Sequence, residues 1–289
     1  MERNRMPGKN LFFYILTVTI LSAGLIILNA LLGMVIPFSV LFLVGFVAAC
    51  LVFVIIHSIL TKGWQATFLM LSVSFVIAFT AEALGVNFGW IFGNYYYTPK
   101  LGPQLFGVPF LAALAWEPIL YASYMITEIL VLPFSPNHSS SWLNRLISIS
   151  SSAMIGAIAT TAWDLMIDPI AVSQGWWIWS DGGEYIPYLQ NGVPIQNYIG
   201  WLLVAFTIHF VFRLINYRGA PSSPSSAYLS IYGPVTLYSS LFITSFGVTL
   251  TVLNRPEIAL VGIMAMGPFI ILSLVNMRFL IESAKFKYA

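Results

Sequence analysis

Charge is scarce in this sequence. Only 8% of its 289 residues are charged, against about 25% in an ordinary soluble domain, while 59% are hydrophobic and the mean hydropathy is +0.88. A soluble globular domain is thereby excluded, and a polytopic membrane protein remains. The net charge of +2 is too small to draw the chain to nucleic acid. Histidine is also rare: His57, His138 and His209 stand apart, with no H-x-x-x-H or H-x-x-H-H cluster. That rules out a histidine-rich membrane di-iron oxygenase or desaturase. The lone cysteine, Cys50, lies in an apolar run and has no partner for an intrachain disulfide. No Gly-rich dinucleotide fingerprint or P-loop is present, and no serine or cysteine has a nucleophile setting. What these absences leave is acid–base work by carboxylates on an apolar substrate, with neither a redox cofactor nor a metal.

The apolar runs predict an all-α bundle, a single integral membrane domain over residues 1–289 with about eight spans of roughly 20 residues each. They fall near Leu11–Leu32, Phe38–Leu60, Ala66–Leu84, Val108–Leu132, Leu146–Asp168, Tyr198–Ile215, Ala227–Leu253 and Ile258–Leu280. The first follows Arg3, Arg5 and Lys9, as a signal peptide would. Its length and the lack of a small-residue cleavage site favour a retained helix. No lysine lies within a span, which excludes a retinal Schiff base. A cytoplasmic N-terminus puts Arg3, Arg5, Lys9, Lys62, Arg145, Arg213, Arg218, Arg278, Lys285 and Lys287 inside and only Lys100 and Arg255 outside. This positive-inside bias predicts a multi-pass plasma-membrane protein with both termini cytoplasmic.

Orientation then sorts the acids. Ionisable groups at the bilayer centre cost about 2.5–3.5 kcal/mol each on insertion scales, so those within spans are functional candidates. Asp164 and Asp168 stand at i and i+4, on one helical face, and Pro169 is expected to stop that helix. With Glu82 and Glu117 they make four carboxylates from three consecutive helices, all toward the outer leaflet. The plainer alternative is that they are wet interfacial groups. Glu128 lies deeper and is left outside the site.

The outer connections, residues 87–107 and 169–197, are unusually aromatic. They hold Trp90, Tyr95, Tyr96, Tyr97, Trp176, Trp177, Trp179, Tyr185 and Tyr188. An interfacial aromatic belt explains some of these, and a lid folded over a protein cavity explains others. The two connections also match each other. Seven residues after Glu82 comes Gly89-Trp90, and seven after Asp168 comes Gly175-Trp176. Gly107-Val108-Pro109 is answered by Gly192-Val193-Pro194, and nine residues past each glycine stands a tryptophan, Trp116 and Trp201. Residues 66–120 and 150–205 thus read as a parallel repeat that makes Glu82 and Asp168 equivalents.

The motifs themselves resemble a known family. The run from Glu82 through Gly89-Trp90 to Tyr95-Tyr96-Tyr97-Thr98, then Leu101-Gly102-Pro103 and Gly107-Val108-Pro109, is similar to the membrane carotenoid-biosynthesis proteins. That group includes bisanhydrobacterioruberin hydratase and the gamma-carotene hydratases. Asp164-Leu165 through Asp168-Pro169, Gly183-Glu184-Tyr185 and the stretch Gly192 to Trp201 complete the likeness. It covers roughly residues 60–280, with the specific motifs between 82 and 201. Glu117-Pro118 is the point at which the chain follows the family pattern least clearly.

The resemblance implies addition of water to the terminal double bond of an acyclic carotenoid end, giving a tertiary alcohol. Asp164 or Asp168 would be the acid and Glu82 the partner that holds the water, with Glu117 a further candidate. Trp90, Tyr95, Tyr97, Trp163, Trp176, Trp179, Tyr185, Asn197 and Trp201 would contact the substrate, the aromatic faces stabilising a carbocation by about 0.5–2 kcal/mol each. The implied partners are a carotenoid or related isoprenoid lipid, membrane lipids and other enzymes of the pathway. Two alternatives stay open. One is a membrane prenyltransferase with magnesium at the Asp164-x-x-x-Asp168 pair, although no second Asp-rich motif is visible. The other is a carotenoid-binding or cyclase-like subunit.

Overall fold

The computed structural model of the protein describes residues 40–131, 141–180, 192–216 and 227–286. Among them are α1 (Val40–Lys62), α2 (Trp64–Phe88), α3 (Phe110–Val131), α4 (Trp142–Gln174), α5 (Ile195–Ile215), α6 (Ala227–Thr251) and α7 (Pro256–Phe286). All seven are long and apolar enough to cross a membrane. They answer seven of the eight expected spans. The expected span Leu11–Leu32 lies outside the described residues, as do Tyr185 and the Gly183-Glu184-Tyr185 motif.

Burial is distributed as lipid demands. Phe68, Ile199, Leu203, Met264 and Val275 lie on the outside of the bundle, each more than half exposed. In water such a surface would drive aggregation; in hydrocarbon it is the matched solvent. Helix α3 is the hub. Its span is 72% buried, and it packs against all six other described helices. Glu128 at its far end pairs with Arg213 of α5, whose guanidinium also lies 4.4 Å from the centre of the Tyr124 ring. This acid is structurally engaged, away from the others.

One expectation is corrected here. Helix α4 does not stop at Pro169 but runs through it to Gln174. The ring removes a single hydrogen bond, to the Leu165 carbonyl, and neighbouring helices hold the segment in place. The stop comes at Gly175, in the left-handed conformation at φ 62°, whose N–H returns to the Ala171 and Val172 carbonyls. Helix α2 ends the same way at Gly89, at φ 69°.

Those paired stops belong to a wider correspondence. After each comes a short strand, β1 (Tyr95–Tyr97) and, after α4, β4 (Trp177–Trp179). The two strands pair antiparallel, with Tyr95 opposite Trp179 and Tyr97 opposite Trp177. Between β1 and α3 the chain makes a 3-10 turn (Pro99–Leu101) and a small hairpin of β2 (Gln104–Leu105) and β3 (Val108–Pro109). Gly107 backs onto Val86 and Gly192 onto Val172, and each valine lies four residues past its acid, Glu82 or Asp168. Helix α2 packs on α5 while α3 packs on α4, the exchange a two-fold relation requires. Trp116 and Trp201, the matched tryptophans, stack on each other with centroids 3.7 Å apart and planes 14° apart. Equivalent residues in mutual contact sit on the axis of a pseudo-two-fold.

The cover formed by the strands is pressed tightly onto α5. A Cβ on Gly200 would stand 2.7 Å from the Ile91 carbonyl oxygen, whereas one on Gly45 of α1 would meet nothing within 4 Å. Gly200→Val is therefore expected to destabilise the folded protein by about 1–3 kcal/mol, the cost of overpacking. Gly45→Val should leave stability unchanged within about 0.5 kcal/mol. Thermal unfolding of the two variants in detergent, side by side with wild type, checks the contrast.

Candidate functional site

Where α2, α3 and α4 meet β1 and β4, three acids are buried together. Glu82, near the end of α2, is 4% exposed; Asp164 and Asp168, one turn apart on α4, are 0% and 2% exposed. Buried carboxylates need hydrogen-bond donors, and the donors here are unequally shared. Glu82 takes three: its Oε2 accepts from the phenols of Tyr95 and Tyr97, the latter at 2.8 Å, and its Oε1 from Trp116 Nε1 at 2.9 Å. The two aspartates share Asn197 of α5. Its amide donates to Asp164 Oδ2 at 3.1 Å and to Asp168 Oδ2. Asp164 and Asp168 are also within hydrogen-bonding reach of each other, and the Trp177 indole is within reach of Asp168. Asp164 Oδ1 has no hydrogen-bond partner among the described residues.

Local sequence explains why these donors arrive. The alternation of β1 turns Tyr95 and Tyr97 to one side, onto Glu82, and Tyr96 to the other, where it is 47% exposed. Opposite them on β4, Trp179 donates to the Phe92 carbonyl at 2.9 Å and packs 5.6 Å from Tyr95. Both β1 tyrosines lie outside the membrane spans. Their phenols are held well above the ordinary value of 10, first by burial and then by the neighbouring Glu82 carboxylate. They therefore remain donors.

Glu82 and Asp168 line one cleft, and Asp164, one turn earlier on α4, is buried without lining it. The free space of the cleft together with the open solvent at its mouth is about 1060 Å³. Tyr95, Tyr97, Trp163, Trp176, Trp179, Asn197 and Trp201, all singled out from the sequence, line it as well. Trp163 meets Trp201 edge to face at 6.3 Å, so the stacked Trp116–Trp201 pair and Trp163 make a three-indole wall. The remaining wall is mostly apolar, including Phe46 and Val47 of α1, with Thr244 and Ser245 of α6 among it. Lysine and arginine are absent from the residues that line it. Among the described residues there is also no group of three or more His, Cys, Asp or Glu side chains placed to hold a metal ion.

Two sequence candidates stand elsewhere. Glu117 is buried, but its Oε2 accepts from Ser74 Oγ at 2.6 Å between α2 and α3, and it does not line the cleft. Its neighbours Trp116 and Pro118 do. Trp90 is 60% exposed and packs on Phe88, an interfacial position that suits a belt residue. Conversely, the hydrogen bond from Trp116 to Glu82 escaped notice in the sequence, where Trp116 served only to mark the repeat. The place of Trp177 beside Asp168 follows from the strand register, which composition does not reveal.

Comparison with known proteins agrees with the motif likeness. The pattern of the family described as "Carotenoid biosynthesis protein" matches residues 37–268. Bisanhydrobacterioruberin hydratase of Haloarcula japonica is 36% identical over 123 residues, which are 42% of this chain and 36% of that protein. The similarity therefore spans about a third of that relative's length. No solved structure matches the chain.

The tyrosine clamp makes a pH signature. Phenols held above 10 in the folded chain ionise first in the unfolded one. Stability should then fall as pH rises past about 10, where the unfolded state releases protons that the folded state retains. Thermal unfolding in detergent between pH 9 and 11 measures that slope. It should flatten in Tyr95→Phe and in Tyr97→Phe.

Proposed function

The chain belongs to the carotenoid biosynthesis protein family, and from that premise we propose that it adds water to the terminal carbon–carbon double bond of an acyclic carotenoid end. The observation that carries this reading is the unequal provision for the acids on one aromatic cleft. Glu82 has three donors, which suits an ionised carboxylate. The aspartate pair has one shared amide and the Trp177 indole near Asp168, two donors for two carboxyl groups, which suits a pair that shares a proton. An acid and a base side by side are what hydration of an alkene needs. The hydratase named among the relatives supports the same reaction class.

The step balances without a cofactor. Asp168 passes the proton shared with Asp164 to the inner, CH carbon of the trisubstituted double bond. The outer carbon, which carries the two methyl groups, becomes a tertiary cation, facing the three-indole wall. Water bonds to it through oxygen and gives up its extra proton to Glu82, leaving a tertiary alcohol. Return of that proton from Glu82 to the aspartates resets the site. Asn197 is a positioning residue, since it holds the two aspartates at one spacing. The apolar lining keeps bulk water from the cation, and neutral walls without lysine or arginine suit a hydrocarbon better than a diphosphate.

The same reading places the protein in the plasma membrane with both termini cytoplasmic and the β1–β4 cover outside, supported by the positive-inside bias. A cysteine substituted at Asn94 should react with an impermeant thiol reagent from the outer side of intact cells. Labelling from the cytoplasmic side alone would reverse the orientation.

Incubating membranes that contain the protein with lycopene tests the reaction. The expected product is heavier by one water. A product enlarged by an isoprenoid unit, or one of unchanged mass, would indicate prenylation or cyclisation and sink the proposal. Asp164→Asn, Asp168→Asn and Glu82→Gln keep size and polarity but remove the proton-transferring function. Each should lower the hydration rate by about 10²-fold or more, and normal rates in both aspartate variants would overturn the mechanism.

A further inference from the structure

Helix α6 lines the cleft with Leu241, Thr244, Ser245 and Val248, a single face at helical spacing. The two hydroxyls on that face are unusual for their helix. Thr236, Thr249 and Thr251 return their hydroxyl protons to carbonyls of α6 itself, at 2.8, 2.8 and 2.7 Å. Thr244 does not. It is 6% exposed, and its Oγ1 has no hydrogen-bond partner among the described residues. Its neighbour Ser245 is 4% exposed and accepts from Trp163 Nε1 at 3.1 Å, while its own proton makes no bond among the described residues. Two adjacent buried hydroxyls thus keep donor capacity on the wall of the cleft that α6 provides, beside apolar Leu241 and Val248. Leaving such groups unsatisfied in a buried wall is costly, so an acceptor is called for.

Their position says which acceptor. The Trp163–Ser245 bond fixes α6 against α4 immediately before Asp164, and Asp168 lies one turn further along, roughly 6 Å at 1.5 Å per residue. The hydroxyls therefore line the same cleft as Glu82 and Asp168. They stand in a lining that holds carboxyl groups and no lysine or arginine, which suits a neutral oxygen better than a phosphate.

We infer that Thr244 and Ser245 form a receptor for the hydroxyl oxygen of an isoprenoid alcohol, so that the cleft holds the hydrated end more tightly than the alkene. The inference rests on the reading above in taking an isoprenoid chain as the occupant. It assigns to α6 a role distinct from that of the acids. A preference of this kind would retain the alcohol after reaction and slow release of the product.

Binding distinguishes the two proposals. Quenching of tryptophan fluorescence by the polyene, in detergent-purified protein, reports affinity for lycopene and for its derivative with water added to one terminal double bond. Wild type should bind the alcohol roughly two- to tenfold more tightly, the worth of one net hydrogen bond. Thr244→Val with Ser245→Ala should bring the ratio to one, with lycopene affinity retained. Thr244→Ser, which keeps the hydroxyl, should preserve the preference. No preference in wild type, a preference that survives the double substitution, or its loss in Thr244→Ser would each overturn the receptor. A preference that behaves as expected in a protein that never hydrates lycopene would leave the receptor standing and remove the proposed reaction. Hydration with no preference would do the reverse.

Discussion

Three carboxyl groups buried inside a membrane bundle, with no basic side chain lining their cleft, set the constraint that the rest of the molecule meets. Burying an ionised carboxylate without donors is prohibitive, so donors have to be brought to it. For Glu82 they come from Tyr95 and Tyr97 on β1 and from Trp116 on α3. The connection between α2 and α3 is accordingly an ordered cover, pinned by its own tyrosines to an acid on the helix it follows. That cover is stitched to its counterpart by the β1–β4 ladder, and at the far edge Lys100 Nζ donates to the Gln174 carbonyl at 2.8 Å. A cation at the C-terminal end of α4 is favourable to that helix's dipole, so the cover also secures the helix that carries the aspartates.

The pseudo-two-fold supplies the frame, and departures from it supply the chemistry. Glu82 and Asp168 occupy matched places, yet their surroundings differ. On one side β1 delivers two phenols to the acid. On the other, β4 offers indoles, and an extra carboxyl, Asp164, stands one turn earlier where α2 has Ala78. A symmetric site with two equally solvated carboxylates would have no reason to separate an acid from a base. Placing the donors on one half and the second carboxyl on the other creates the difference that the proposed proton transfer requires. The stacked tryptophans on the axis are then common property of both halves, at the position where charge would develop.

Much of this was legible in the residues. Scarce charge and long apolar runs give a membrane bundle, and seven of the expected spans are present as helices within a few residues of the stated bounds. The spacing of glycines, acids and tryptophans reveals the repeat because a duplicated backbone needs the same turns at the same places. Depth along the helices groups Glu82, Asp164 and Asp168 with Glu117, which stands apart on Ser74. Pro169 does not stop its helix because proline is a strong breaker in water but a mild one where neighbouring helices hold the chain. Belt and lid both describe the aromatic loops: Trp90 and Tyr96 face outward, while Tyr95, Trp176 and Trp179 line the cleft.

The sequence by itself determined depth: which residues lie in hydrocarbon, at what level along each helix, and in what repeated order. Only the tertiary structure decided azimuth. It set Trp116 against Glu82 and turned Glu117, one residue on, away toward Ser74; it gave Asn197 to both aspartates, and it left Thr244 on the wall of the cleft. The reason is the solvent. A helix in water advertises its buried side by an apolar stripe against a polar one. A helix in lipid is apolar all round, and the side that faces its neighbours is chosen by packing and hydrogen bonding among them, information that no single span contains.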